Sequence, residues 1–335
     1  MKKQLNRRDF LHTGTLACLS LAIPSLAGAV VKKTKGFKMG IIADLHHDIM
    51  HDGPERLQIF LDEMKEAKPD AIMQLGDFAF PDAKNKDIID LFNNAHPEVL
   101  HVIGNHDTDR GHTHQQCIDI WGIPAAYYIK KINGFSFVVL NGNDKGSPTY
   151  KEGYPSYIGI EQVQWLKQML AEIQGPIIIV CHQPLVGGFA VDNASEIQQA
   201  ISAAKDRVVL VINGHTHIDS LIYVEDIPYI TINSASYFWV GDKYKHESYS
   251  EEIHRAHGLI SRTCPYKDAL FTTLTIDPKS LTIEVKGRPG AWVGKSPAEL
   301  NFAMPPFIVE KEIVPFIRER KLSVPQNATA KFLKK

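Results

Sequence analysis

Cysteine is scarce in this chain: four residues in 335, one of them (Cys18) inside the first thirty. The three that follow, Cys117, Cys181 and Cys264, give no disulfide framework, and at most one bridge could join two of them. Neither sign of charge is in excess, with 37 basic against 38 acidic residues. That balance removes the electrostatic footprint of a nucleic-acid or anionic-membrane binder. No apolar run reaches the ~20 residues that a membrane span requires, and no segment repeats. What is present is ordinary: 44% hydrophobic and 22% charged residues, too apolar for disorder throughout. The length suffices for one large domain or two small ones.

The first thirty residues read as an address rather than as fold. Lys2, Lys3, Arg7 and Arg8 form a basic start, and Asn6-Arg7-Arg8-Asp9-Phe10-Leu11 resembles a twin-arginine export signal. An apolar stretch from Leu16 to Leu26, broken by Ser20 and Pro24, leads to the small-x-small pattern Ala27-Gly28-Ala29. The expectation is a signal peptide over residues 1–29, cleaved after Ala29. The mature chain would then be periplasmic or extracellular, with no stable span. Because twin-arginine export carries folded proteins, a metal could be loaded before export.

Downstream, Phe37 to Ala43, Ala71 to Leu75 and Val99 to Ile103 read as buried strands. Between them lie helical stretches, Pro54 to Ala67 with Leu57, Phe60, Leu61 and Met64 on one face, and about Lys86 to Asn94. This alternation predicts a parallel sheet with right-handed crossovers. Gln115 to Trp121 reads as a short helix, Phe135 to Leu140 as a strand, and Asn141 to Tyr157 as a long loop of the kind that rims a substrate site. Helix (Gly159–Ile173), strand (Pro176–Cys181), helix (Ala194–Ala204) and strand (Val208–Ile212) follow. From Leu221 to Val285 the strands are joined by short turns and predict antiparallel hairpins in a second sheet. Residues 241–268 and the tail from about Ser296 have no readable pattern.

The polar motifs share one position: each directly follows an apolar run. They are Asp44-Leu45-His46, Gly76-Asp77, Gly104-Asn105-His106-Asp107, His182 and Gly214-His215-Thr216-His217. In an open parallel sheet the C-terminal strand ends lie along one edge, where ligands bind, so residues far apart in sequence can converge there. Singly, Asp77 reads as a turn residue and His182 as a core histidine. Together they offer carboxylate, imidazole and amide oxygen with no thiolate, a set suited to zinc, iron(II), manganese or similar ions.

These motifs, complete and in order, resemble those of the calcineurin-like metallophosphoesterases: D-x-H, G-D, G-N-H-[DE], a lone His, then G-H-x-H. The resemblance implies a four-layer αββα sandwich, two mixed β-sheets flanked by helices, over residues 30–290, with a tail of uncertain structure over 291–335. It implies a dinuclear centre in which Asp44, His46 and His217 bind one divalent ion and Asn105, His182 and His215 the other, with Asp77 bridging. His106 would stand beside the phosphate without binding metal, oriented by Asp107. Purple acid phosphatases carry G-D-x-x-Y, whose tyrosine ligates iron(III). Here the stretch is Gly76-Asp77-Phe78-Ala79-Phe80, which favours a phosphodiesterase-type branch.

The chemistry of phosphate esters fits that set. They are anionic and resist attack, so two cations ~3.5–4 Å apart can hold a hydroxide of lowered pKa and clamp the phosphoryl oxygens. A histidine can protonate the leaving alkoxide. The expected activity is hydrolysis of a small phosphomonoester or phosphodiester. Cleavage of nucleotide-type pyrophosphate linkages, or a non-catalytic metal-binding interaction module on the same fold, are the alternatives. His47, Asp48, His51, His112 and His114 are further loop residues beside the site, and Arg110, Lys145, Tyr154 and Tyr157 are candidates for its rim.

Overall fold

The first three apolar runs become adjacent parallel strands. In a computed structural model, which describes residues 36–333, β1 (Phe37–Ile42) leads through α1 (Gly53–Ala67) to β2 (Ala71–Gln74), and α2 (Lys86–Asn93) leads to β3 (Val99–His101). The expected signal peptide lies outside the described residues. α1 starts where Pro54 supplies a preset φ and lacks only an N–H that would be unpaired anyway. Leu57, Phe60, Leu61 and Met64 form its buried stripe, and it stops at Lys68 in the left-handed region (φ 48°) before Pro69.

A second parallel triplet follows, in a different sheet. After α3 (His114–Trp121) come the hairpin β4 (Tyr128–Ile132) and β5 (Phe135–Leu140), then α4 (Ile160–Glu172), β6 (Ile177–Cys181), α5 (Ala194–Ala203) and β7 (Val208–Asn213). β5, β6 and β7 pair in parallel. β4 was missed in the sequence although its turn announces itself. Asn133-Gly134 adopts positive φ at both residues (50° and 89°), the backbone of a tight hairpin turn.

The later strands do not form the separate antiparallel sheet expected of residues 221–285. β8 (Ser220–Val224) and β9 (Ile227–Thr231) extend the second sheet, β9 lying parallel to β7. β10 (Tyr237–Trp239) and β11 (Thr263–Pro265) make a small ribbon on either side of α6 (Glu251–Ala256), filling the patternless 241–268 region. β12 (Thr272–Asp277) returns antiparallel to β1, β13 (Thr282–Val285) pairs antiparallel with β12, and β14 (Arg320–Ser323), from the tail, pairs with β13 before α7 (Gln326–Leu333). The sheets therefore run β14-β13-β12-β1-β2-β3 and β4-β5-β6-β7-β9-β8. Turn lengths specify hairpins, but the partner sheet of each hairpin is fixed by long-range packing.

Both sheets are mixed, in the expected sandwich. Along β5, Phe135, Phe137 and Val139 face the first sheet, with the Phe37 ring 5.5 and 5.1 Å from those of Phe135 and Phe137. Val138 and Leu140, on the opposite face, pack with Val163 and Leu166 of α4 and Ile197 and Ile201 of α5. A sheet buried on both faces explains the unbroken apolar runs. The three cysteines are buried and free. The tail is tied down as well: Asp219, with a side chain 1% exposed, meets Arg318 and Arg320 at 2.7 Å each. Among the described residues no helix is long and apolar enough to cross a membrane.

His101, at the end of β3, couples this fold to pH. Its ring stacks on Trp121, with centroids 5.4 Å apart. Nε2–H donates to Asn93 Oδ1 at 2.7 Å, and Nδ1 accepts from Gln74 at 3.2 Å, a set that suits the neutral ring. Burial, aided by Lys130, pushes its pKa down to about 3. The unfolded chain takes up this proton below about pH 6.5 and the folded chain does not. Stability contributed by His101 is therefore full above that pH and is lost on acidification, at about 1.4 kcal/mol per unit. Urea midpoints from pH 6.5 to 5 should fall more steeply for wild type than for His101→Gln; equal slopes would contradict this.

Candidate metal centre

All five motifs sit on the loops that leave β1, β2, β3, β6 and β7, so the edges of two sheets meet at one place. The loops are stitched directly. Asp44 N–H donates to the Gly76 carbonyl (3.0 Å), His46 N–H to that of Asp77 (2.9 Å), and Gly214 N–H to that of His182 (2.9 Å). Across the sheets, the His215 N–H meets the Asp44 carboxylate at 3.1 Å. Gly104 has to be glycine, since a Cβ there would strike the backbone nitrogen and carboxylate of Asp77. Gly76, at φ 99°, packs directly beneath the His182 ring.

Six of the seven expected ligands are brought together in two groups. Asp44, His46 and His217 offer one set of donor atoms, and Asp77, His182 and His215 another, each set within 4.8 Å. Contacts bridge them: His182 Nε2 lies 3.2 Å from Asp77 and 3.8 Å from Asp44, and His46 Nε2 lies 3.7 Å from Asp77. Asn105, Asp77, His46, His215 and His217 line one cavity of about 870 Å³. Five of the seven, Asp44, His46, Asp77, His215 and His217, hold φ between 48° and 71°. A non-glycine residue there costs roughly 1–3 kcal/mol and persists only where the surroundings enforce it.

The donor set fits divalent cations. His46 Nε2 and His217 Nε2 point at one another 3.0 Å apart, and Asn105 Oδ1 is buried without a hydrogen-bond partner. An orphaned buried acceptor costs about 1–3 kcal/mol unless something positive meets it. His182 Nδ1 lies 2.8 Å from the Leu75 carbonyl, which fixes the ring with Nδ1 protonated and leaves Nε2, buried and without a hydrogen bond, as the donor atom for a metal.

The electrostatics follow from burial and crowding. Burial opposes ionisation of Asp77, yet His182 and His106 hold its carboxyl well below the usual range. Burial also opposes the His182 cation, but Asp77 and Asp44 outweigh it and push the ring up to about 10. Burial drives His46 well down, and burial with the neighbouring His182 takes His215 down to about 3. Alternating preferences of this kind mark a site built around charge.

Within Gly104-Asn105-His106-Asp107 the structure corrects one expectation. Asp107 does not orient the His106 ring. Its carboxylate accepts the backbone N–H groups of Gly104 (2.7 Å), Phe78 (2.8 Å) and Asp77 (3.0 Å), joining the loops after β2 and β3. Burial and the nearby Asp77 charge push it up to about 8 despite those donors. The ring of His106 instead meets Asp109, with Nδ1 2.7 Å from Oδ2. An acid one helical turn after a histidine is the signal that sequence reading passed over.

These residues and their frame match a known family. The calcineurin-like phosphoesterase family model covers residues 37–219. The chain belongs to this family. It is accordingly a hydrolase acting on phosphoester bonds, and its family implies a dinuclear metal centre. The calcineurin-like fold is also seen in similar solved structures. A dimetal phosphatase from Danio rerio is 14% identical, with 77% of this chain and 98% of that one covered and a TM-score of 0.52. GAP50, the anchor in the inner membrane complex of Plasmodium, is 15% identical, with 88% and 91% covered and a TM-score of 0.55. No curated protein sequence matches the chain.

Of the additional loop residues, Asp48, Arg110 and Tyr154 line the calcineurin-like cavity, whereas His47, His51, His112, His114, Lys145 and Tyr157 are not among its walls. The Asp48 carboxylate is occupied by Phe80 N–H, Asn85 and Lys84. Phe80 itself lines the cavity and has no oxygen to offer.

Proposed function

We propose that the chain hydrolyses small phosphomonoesters or phosphodiesters at a dinuclear centre. Asp44, His46 and His217 would hold one ion and Asn105, His182 and His215 the other, with Asp77 placed to contribute to both. The observation that carries this reading is the pair of facing donor clusters with the unpartnered Asn105 oxygen between strand ends of two sheets. Two divalent ions in such a site supply positive charge to the phosphoryl oxygens and a water of lowered pKa. The protein's own part is to hold the donors in strained, preset positions and to deliver a proton. The proton comes from His106, which lines the cavity and belongs to neither cluster.

Burial opposes protonation of His106, but the carboxylates of Asp77 and Asp109 outweigh it and raise its pKa, which keeps a proton on the ring for the leaving oxygen. Pyrophosphate linkages would use the same groups and are an alternative substrate. A non-catalytic metal-binding module is disfavoured, because it has no need of His106, which lines the cavity and belongs to neither donor cluster. The leader with Arg7-Arg8 supports export to the periplasm or beyond, which an N-terminus beginning at Val30 in the secreted fraction would verify.

The test is hydrolysis of 4-nitrophenyl phosphate and bis(4-nitrophenyl) phosphate by metal-stripped protein resupplied with manganese, zinc or iron. Metal-dependent release of nitrophenolate is the expected result. Two tightly bound ions with no turnover on a broad panel of esters and pyrophosphates would leave the non-catalytic reading in its place.

A further inference from the structure

The His106 ring is held by a side chain from the long loop as well as by its own turn. After His106, Asp107 and Thr108 the helical path breaks at Asp109 (ψ 163°) and Arg110 turns left-handed (φ 57°). That kink sets the Asp109 carboxylate against the ring three residues back. Tyr154, 45 residues downstream, donates its hydroxyl to Asp109 Oδ1 at 2.7 Å, and its oxygen lies 3.2 Å from His106 Nδ1. The tyrosine and histidine rings are 4.8 Å apart.

A half-buried acid–histidine pair within one turn holds a ring less firmly than a three-member set does. The third member, Tyr154, comes from a segment whose base is pinned. Asp144 N–H donates to the Tyr157 carbonyl (3.0 Å), and Tyr157 N–H to that of Gly142 (2.8 Å). Both carboxylate oxygens of Asp109 are thereby used, one on each ring partner. Among the described residues no other side chain hydrogen-bonds the imidazole, and Asp107 is consumed by three backbone groups.

We propose that Asp109 and Tyr154 are positioning residues for proton delivery. Asp109 fixes His106 with Nδ1 protonated, so that Nε2–H faces the cavity, and Tyr154 locks Asp109 in that pose. In the step served, a hydroxide oxygen bonds to phosphorus as the P–O bond to the leaving group breaks, and the Nε2 proton passes to the departing oxygen. The imidazole is left neutral and regains its proton from water. The unit rests on the phosphoester-hydrolase reading above. It also makes the rim loop part of the proton-delivery machinery, so that loop and chemistry are coupled through one hydroxyl.

The test uses the metal-loaded protein and esters graded in leaving-group acidity, from 4-nitrophenyl through phenyl to benzyl. A good leaving group needs little protonation, so the loss in Asp109→Ala should grow along the series. It should reach about 10- to 100-fold in kcat for the benzyl ester, part of the roughly 10²–10⁴ that acid catalysis supplies. KM and bound metal should be unchanged, Tyr154→Phe should lose less in the same pattern, and Asp109→Asn should recover part of the loss. A uniform loss across leaving groups, or loss of an ion, would overturn the proposal. A second readout does not depend on turnover. The hydrogen-bonded His106 Nδ1–H should give a downfield proton resonance in wild type that vanishes in Asp109→Ala, and its persistence would overturn the proposal. Failure of wild type to cleave any ester would count against the phosphoesterase reading, while this resonance still decides the pairing.

Discussion

Replacing His106 with alanine is expected to lower kcat about 10²–10⁴-fold, or some 2.7–5.4 kcal/mol in the barrier, while both metal ions stay bound. His106 contributes no atom to either donor cluster, and its Nδ1 is engaged by Asp109 rather than by a metal ligand. What anchors this position to the centre is its backbone, whose N–H donates to Asp77 Oδ1 at 2.7 Å, and alanine keeps that N–H. Steady-state kinetics and elemental analysis of the same sample check both halves. A missing ion in His106→Ala would mean that the ring is a ligand and that the division of labour in this turn is wrong.

The neighbouring residue should behave in the opposite way. Asp107→Ala removes the acceptor of three buried N–H groups, those of Gly104, Asp77 and Phe78. Each donor left unpaired costs about 1–3 kcal/mol, so the total is a sizeable part of the ~5–15 kcal/mol that keeps a protein folded. The expected result is a large fall in the urea midpoint together with weaker metal binding, because the Asp77 loop loses its tether. Asp107→Asn keeps an acceptor oxygen and should fall between. An unchanged midpoint with only kcat reduced would restore Asp107 to the catalytic role first expected from sequence.

The contrast between these two residues shows what sequence could and could not supply. Each donor was legible because it follows an apolar run, and strand ends of parallel units converge by topology. The ligand types were legible from chemistry alone. The partner of a side chain was not, because Asp107, one residue on, and Asp109, three residues on, both lie near His106 along the chain. The difference lies in a break in backbone dihedrals at Asp109 and Arg110 that no residue type there demands. Sheet membership was hidden for a similar reason. β8, β9, β12 and β13 have the alternation and turns of hairpins, and only tertiary pairing sends two to one sheet and two to the other. The tail was opaque for want of periodicity, yet Arg318 and Arg320 reach the buried Asp219 and seat β14 on the sheet edge.

Two donor clusters, brought together from two sheets, are proposed to hold two ions for phosphoester hydrolysis. The most direct measurement is the number of ions per chain after reconstitution with manganese or zinc, in wild type and in His182→Ala. Two are expected in wild type and one or fewer in the variant, with hydrolysis lost in parallel. A wild-type chain that retains no ion, or a His182→Ala chain that retains two, would contradict the proposal.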